Sequence, residues 1–274
     1  MKAKSMAALE IFFIITNIIV IVSHKKYFTI MQKNILIIGC NSAIGKEVIK
    51  LSTLQGDNII ATSRSPIDIS VNQFIQLDPN GDLSDLDSLP ESIDGLLYCP
   101  GSISLKSIQR MDISDIREDL SINFEGAFNI IKKVLPNLKK DNGASVVFIS
   151  SVAANTGMTF HSSIAASKSA LEGFARSLSA ELAPRVAVNC IAPSLTDTPM
   201  AEHLIDNEKK LKSSEERHPL NTIGDPARIA AVIYNLFSAK DNWITGQTIN
   251  IDGGLSTLRS VSYTHLTLPT TPYV

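Results

Sequence analysis

Short runs of almost uninterrupted apolar residues alternate with longer amphipathic segments through the middle of this chain, and that alternation admits few architectures. Residues 33–39, 58–62, 95–99, 145–150, 186–191 and 247–251 read as strands. Runs with no polar face belong to strands that are buried on both sides. Between them, residues 44–54 carry apolar positions at helical spacing up to Gly56, residues 124–135 up to Pro136, and residues 165–182 up to Pro184. Glycine and proline are the natural stops for such helices. Strand and crossover helix in repetition predict an α/β fold, a doubly wound parallel sheet covered by helices on both faces. No repeat or linker divides it, so a single domain is expected.

The ends of the chain differ from this middle. Residues 11–22 are an apolar run behind Lys2 and Lys4, broken by Thr16 and Asn17. The run is shorter than the ~20 residues of a spanning helix and has no small-residue cleavage site after it. Three accounts stay open for residues 1–30: a reading frame extended upstream of a true start at Met31, a weak membrane anchor, or a cleaved signal. The first is the simplest. Residues 260–274 are rich in Thr and Pro, low in charge, and resemble translated sequencing-adapter read-through. The expected domain is therefore residues 31–259.

Composition narrows the function classes. With 44% hydrophobic and 19% charged residues the chain is neither disordered nor a coiled coil. Its 25 basic and 27 acidic residues leave a net charge of −2, which argues against nucleic-acid binding. Cys40, Cys99 and Cys190 sit far apart inside apolar runs. They read as reduced, buried thiols of a cytoplasmic protein, with no metal-ligand spacing among them.

The first turn carries the first chemical signal. Gly39 directly follows the first strand and Gly45 stands where the next helix opens. This is either a tight strand-to-helix turn or the place where backbone N–H groups and a helix N-terminus approach a pyrophosphate, as in the Rossmann fold. At the end of the second strand an acid selects NAD by bonding the ribose 2′-OH, and an Arg accommodates a 2′-phosphate. The chain offers Arg64 between two serines and no carboxylate there. NADP is the expected cofactor, with NAD possible.

The wider set of motifs resembles the short-chain dehydrogenase/reductase family, and within it members like 3-oxoacyl-(acyl-carrier-protein) reductase. Gly39 and Gly45 match the outer glycines of its opening motif, with Ala43 at the middle one. Residues 120–128 resemble the helix with the active-site Asn, here Asn123. Residues 146–151 resemble the strand ending in the active-site Ser, here Ser151. Ser167–Lys168 resembles the segment with the active-site Lys, and residues 188–193 the strand before the substrate loop. Residues 219–226, 243–247 and 252–254 match the C-terminal signatures. The resemblance spans residues 32–258. It implies cofactor binding by Gly39, Asn41, Ser42, Ile44, Gly45, Arg64, Asp78, Gly101, Lys168, Pro193 and Thr198, and catalysis by Ser151, Asn123 and Lys168. It also implies a homodimer or homotetramer built on the helices at 124–135 and 165–182.

Two departures bear on activity. The family motif is Tyr-x-x-x-Lys, whose two side chains share a helix face so that the ammonium lowers the phenol pKa. Four residues before Lys168 stands Ile164, and no tyrosine occurs between Tyr98 and Tyr234. Tyr98-Cys99-Pro100-Gly101 replaces the usual Asn-Asn-Ala-Gly. The expected substitute for the lost acid is His161, one turn earlier, whose imidazole suits proton transfer near neutrality. Ser162 and Ser163 read as caps of the following helix. Residues 194–222 are expected to lie over the pocket, with an amphipathic lid helix at 200–211 and Ser194 in place of a usual Gly.

Two functions follow from these residues. One is an NADP(H)-dependent oxidoreductase acting on a small carbonyl or alcohol with an atypical proton donor. The other is a nucleotide-binding pseudoenzyme with a regulatory or oligomer-partner role. Neither membrane nor nucleic-acid partners are expected.

Overall fold

Every apolar run read as a strand forms one in the computed structural model, which describes residues 32–238 and 243–259. The expectations for the apolar N-terminal run and the Thr/Pro-rich tail lie outside the described residues. In chain order the strands are β1 (Asn34–Ile38), β2 (Asn58–Ser63), β3 (Gln73–Gln76), β4 (Gly95–Tyr98), β5 (Ala144–Ile149), β6 (Val186–Pro193) and β7 (Thr248–Ile251). The α-helices are α1 (Ala43–Leu54), α2 (Ile113–Leu120), α3 (Gly126–Leu138), α4 (Ser162–Leu182), α5 (Glu208–Glu216) and α6 (Pro226–Ser238).

All seven strands pair in parallel in the order β3-β2-β1-β4-β5-β6-β7. Alternation along each strand splits the core in two. Leu36, Ile38, Leu96 and Val146 join α3 and α4 on one face, while Ile35, Ile37, Leu97 and Val147 meet α1 and α6 on the other. The chain reverses direction of winding between β1 and β4, and in open sheets of this kind ligands bind outside the strand C-termini at that point.

Several local expectations are corrected. The helix expected at 124–135 starts later and runs through Pro136. Pro136 and Lys132, the residue whose carbonyl loses its N–H partner, are both exposed and Pro136 lies in the last turn. The helix expected from 165 begins at Ser162 with His161 as its N-cap residue. Ser162 and Ser163 therefore lie inside the first turn and do not cap it; the Ser163 hydroxyl instead donates to the Asp115 carbonyl at 3.4 Å. The lid helix expected at 200–211 is two pieces, a 3₁₀ turn Pro199–Leu204 and α5. Asn207 separates them because its side chain caps α5, accepting from the Lys210 N–H at 3.0 Å. Strand β3 went unread because only one of its four residues is buried.

Candidate active site

The strand C-termini open on a cleft of about 620 Å³ at the β1/β4 switch point. Its floor is the first turn. Gly39 has φ +76°, and a Cβ there would stand 2.9 Å from Cδ of Pro100. Only glycine lets the β1–α1 turn and the β4 loop pass this closely. The Ser42 hydroxyl caps α1 by accepting from the Gly45 N–H at 3.0 Å. Ala43 and Ile44 of that first turn line the cleft, and a helix N-terminus is a ready anion site.

One end of the cleft carries an exposed guanidinium. Arg64 follows β2, is exposed on the cleft, and makes no ion pair among the described residues. Its loop is held from two sides: the Asn41 amide donates to Ser65 Oγ at 3.1 Å and to the Pro66 carbonyl at 3.2 Å, and the Gln76 amide donates to the Arg64 carbonyl at 3.0 Å. Beside it Thr62 borders the cleft, and its fully buried Oγ1 has no partner among the described residues. Asp78 lines the same end.

At the other end lie Ser151, Lys168, His161 and Ile164. Ser151 accepts from the Ala153 N–H at 3.2 Å, which leaves its own proton free to donate. Lys168 is 4% exposed and donates to the Ile149 carbonyl at 2.6 Å. Burial penalises its charge and brings its pKa down to about 8. Ile164, 5% exposed, presents an aliphatic side chain four residues before it. His161 Nδ1 lies 2.7 Å from the Thr159 carbonyl, so that nitrogen carries a proton.

Two of the expected site residues do not line the cleft. Gly45 is packed under the turn, where a Cβ would meet Ser42 Oγ at 2.9 Å. Asn123 is fully buried, its amide donating to the Asp119 carbonyl at 2.8 Å. It sits in a π-helical turn, Ser121–Glu125, between α2 and α3, and its Oδ1 has no partner. A Cβ on Gly101 would lie 3.4 Å from that Oδ1 and 3.6 Å from Lys168 Nζ, so the two groups converge on one small space. All the other residues expected at the site, namely Gly39, Asn41, Ser42, Ile44, Arg64, Asp78, Gly101, Pro193, Thr198, Ser151, Lys168 and His161, line one cleft.

Some partners were not read from the sequence. Tyr98, the last residue of β4, stands where the family usually has Asn, and its hydroxyl donates to the Ile122 carbonyl at 2.7 Å, tying β4 to the π turn. Glu172, buried on α4, receives the Ser150 hydroxyl at 2.5 Å and the Asn155 amide at 2.7 Å, which holds the loop on either side of Ser151. Its signal was a carboxylate four residues after Lys168 on the inward face. The lid contributes Met200, Leu204 and Arg217 to the cleft wall.

Residues 84–256 match the family model described as enoyl-(acyl carrier protein) reductase. The curated 3-oxoacyl-(acyl-carrier-protein) reductase FabG of Thermotoga maritima is 32% identical over 238 residues, covering 80% of this chain and 96% of its own length. Among solved structures, ligand-free aldohexose dehydrogenase of Thermoplasma acidophilum is similar with a TM-score of 0.78 at 26% identity, covering 85% of this chain and 97% of that one. A single-residue variant of ElxO with NADPH bound has a TM-score of 0.74 at 26% identity, covering 82% of this chain and 99% of that one.

Proposed function

Because this chain belongs to the short-chain dehydrogenase/reductase family, we propose that it is an oxidoreductase moving hydride between NADP(H) and a small carbonyl or alcohol, with a proton donor other than tyrosine. The observation that carries this reading is the convergence of the β1–α1 turn, Arg64, Ser151 and Lys168 on a single cleft. The NADPH-bound ElxO variant supports the choice of cofactor.

The residues present fit such a cofactor. The close turn at Gly39 and the α1 N-terminus suit a pyrophosphate, and Arg64 with Ser63 and Ser65 suits a 2′-phosphate. Bound there, the reduced nicotinamide supplies hydride. The Ser151 hydroxyl donates to the substrate oxygen, and Lys168 contributes positive charge near the ribose while staying anchored to Ile149. Asn123 Oδ1 and Lys168 face a shared space able to hold a bridging water. Ile164 can neither give nor take a proton. Tyr98 does not replace it, because its hydroxyl is committed to Ile122 and burial pushes its pKa well above the usual phenol value.

One observation favours the second reading, a nucleotide-binding pseudoenzyme, and it is Ile164 itself. Both readings share the cofactor, so cofactor binding is measured first. A ligand that binds only the folded state raises stability by mass action. NADPH should raise the melting temperature more than NADH at equal concentration, and Arg64→Asp should abolish that preference. Equal protection by NADH in the parent refutes the NADP assignment. The three free, buried cysteines support a cytoplasmic location, and we place self-association on α3 and α4. Among the described residues no helix is long and apolar enough to cross a membrane.

A further inference from the structure

A hydroxyl–imidazole pair sits at the C-terminal edge of the sheet, outside the machinery assigned so far. Ser194 directly follows β6 and lines the cleft. Its Oγ lies 2.9 Å from Nε2 of His218, a residue 2% exposed in the segment between α5 and α6. The other ring nitrogen, Nδ1, lies 2.7 Å from the Ser214 carbonyl oxygen. A carbonyl only accepts, so Nδ1 carries a proton in either charge state, and Nε2 is the nitrogen that gains and loses one. With the ring neutral, the Ser194 hydroxyl donates to Nε2. With the ring charged, Nε2–H donates to Oγ and the hydroxyl proton turns free. This geometry joins a buried ring to a hydroxyl at the cleft through one hydrogen bond.

Its place in the sheet puts that proton near the reacting end. Strands β5 and β6 pair up to Ile149 and Ile191, and the Ser150 N–H donates to the Ile191 carbonyl at 2.7 Å. Neighbouring strands run about 4.8 Å apart, so Ser151 and Ser194 enter the cleft from adjacent strand ends. Ile164 lines the same cleft. The charged group facing the ring from another element is Asp252 after β7; Glu215 and Arg217 flank His218 on its own segment. Partial burial works against the Asp252 charge, but the Ser256 hydroxyl and N–H and the Gly254 N–H outweigh it, with the imidazole adding. Its carboxyl is held below the usual range.

Resting on the hydride-transfer reading above, we propose that the Ser194 hydroxyl, backed by His218, delivers the proton that the residue at 164 cannot. As the carbonyl carbon accepts hydride, the C=O π pair moves onto oxygen and that oxygen takes the Ser194 hydroxyl proton. Ser194 Oγ takes the Nε2 proton of His218, and the neutral ring is recharged from water through the cleft. Ser194 is the catalytic hydroxyl and His218 the positioning residue behind it. In the alcohol-to-carbonyl direction each transfer reverses.

The test uses the full chain with NADPH and two activated carbonyls, diacetyl and phenanthrenequinone. A positioned acid contributes roughly 10²- to 10⁴-fold, so Ser194→Gly and His218→Gln should each lower kcat by about 10²-fold or more with little change in KM. The D₂O effect on kcat should report this relay in the parent and change in Ser194→Gly. Two readouts do not depend on turnover: Ser194→Gly should shift the His218 Nε2 resonance in ¹⁵N spectra, and it should keep the thermal protection by NADPH. Because Ser194 is only half-buried, this variant decides the matter if His218→Gln fails to fold. An active parent with an equally fast Ser194→Gly, or with the loss appearing in His161→Ala instead, overturns the proposal and leaves the hydride-transfer reading standing. A parent that binds NADPH but reduces neither carbonyl overturns both.

Discussion

Ile164 lines the cleft beside Ser151 and Lys168, and on the proposed hydride-transfer reading its effect is readable by adding back what it lacks. If only proton delivery is deficient, a phenol at 164 should compensate for a lost relay: Ile164→Tyr placed on Ser194→Gly should recover roughly 10²-fold in NADPH-dependent reduction, the low end of what a positioned acid supplies. Steady-state kinetics on the double variant checks this, and a double variant as slow as Ser194→Gly alone would show that the cleft cannot use a phenol there. Lys168 offers a test without substrate. Its pKa falls from 10.5 to about 8 on folding, so between those values the unfolded chain binds the extra proton. Stability then rises with pH across that window, and the gain is lost as pH falls through the folded value. Lys168→Met removes the charge that burial penalises. Relative to the parent it should be most stabilising near pH 7, and its advantage should shrink by about 2 kcal/mol by pH ~9.5. Urea unfolding of both proteins at the two pH values measures the difference; a constant gap would mean that Lys168 keeps its ordinary pKa.

At the scale of elements, the contact between the end of β4 and the turn opening α3 decides where Asn123 points. Tyr98 reaches across to Ile122, and a Cβ on Gly126 would collide with the Tyr98 hydroxyl. Gly126→Ala should therefore destabilise the fold by about 1–3 kcal/mol, the usual range for overpacking, although alanine is the better helix former. Tyr98→Phe should relieve much of that penalty in the double variant, giving a coupling well outside additivity. Thermal or urea unfolding of the four proteins closes the cycle, and strictly additive effects would remove Tyr98 from this account. Pro136 shows why the end of α3 escaped a reading by residue type. Proline removes one N–H donor and crowds the carbonyl four residues back, but here it stands in the last turn, Lys132 is exposed, and α3 ends two residues later at Leu138.

For the whole molecule, every described strand and helix lies between Asn34 and Ile251. Residues 31–259 expressed alone should give one cooperative thermal transition; an insoluble product rescued only by restoring residues 1–30 would contradict this. Phe128 is 45% exposed on α3, its ring 6.1 Å from Phe174 on α4. Light scattering should find a dimer or tetramer, and Phe128→Glu should shift it toward monomer if these helices form the interface. The alternation of wholly apolar runs with amphipathic segments was enough to predict the parallel sheet, because strands buried on both faces tolerate no polar position and helices with one buried face must show one. The turn glycines and Arg64 stand at strand ends that the apolar runs locate, while Ser151 and Lys168 were reached through the family resemblance; the structure brings Gly39, Arg64, Ser151 and Lys168 to one cleft. The meetings between distant segments were not legible. Ser194 and His218 stand 24 residues apart with an irregular lid between them, Tyr98 bonds a carbonyl whatever side chain residue 122 bears, and Asn123 turns inward because of a π turn. Such contacts depend on how loops and helices pack over the sheet, a property of the folded chain in three dimensions that no periodicity along the sequence encodes.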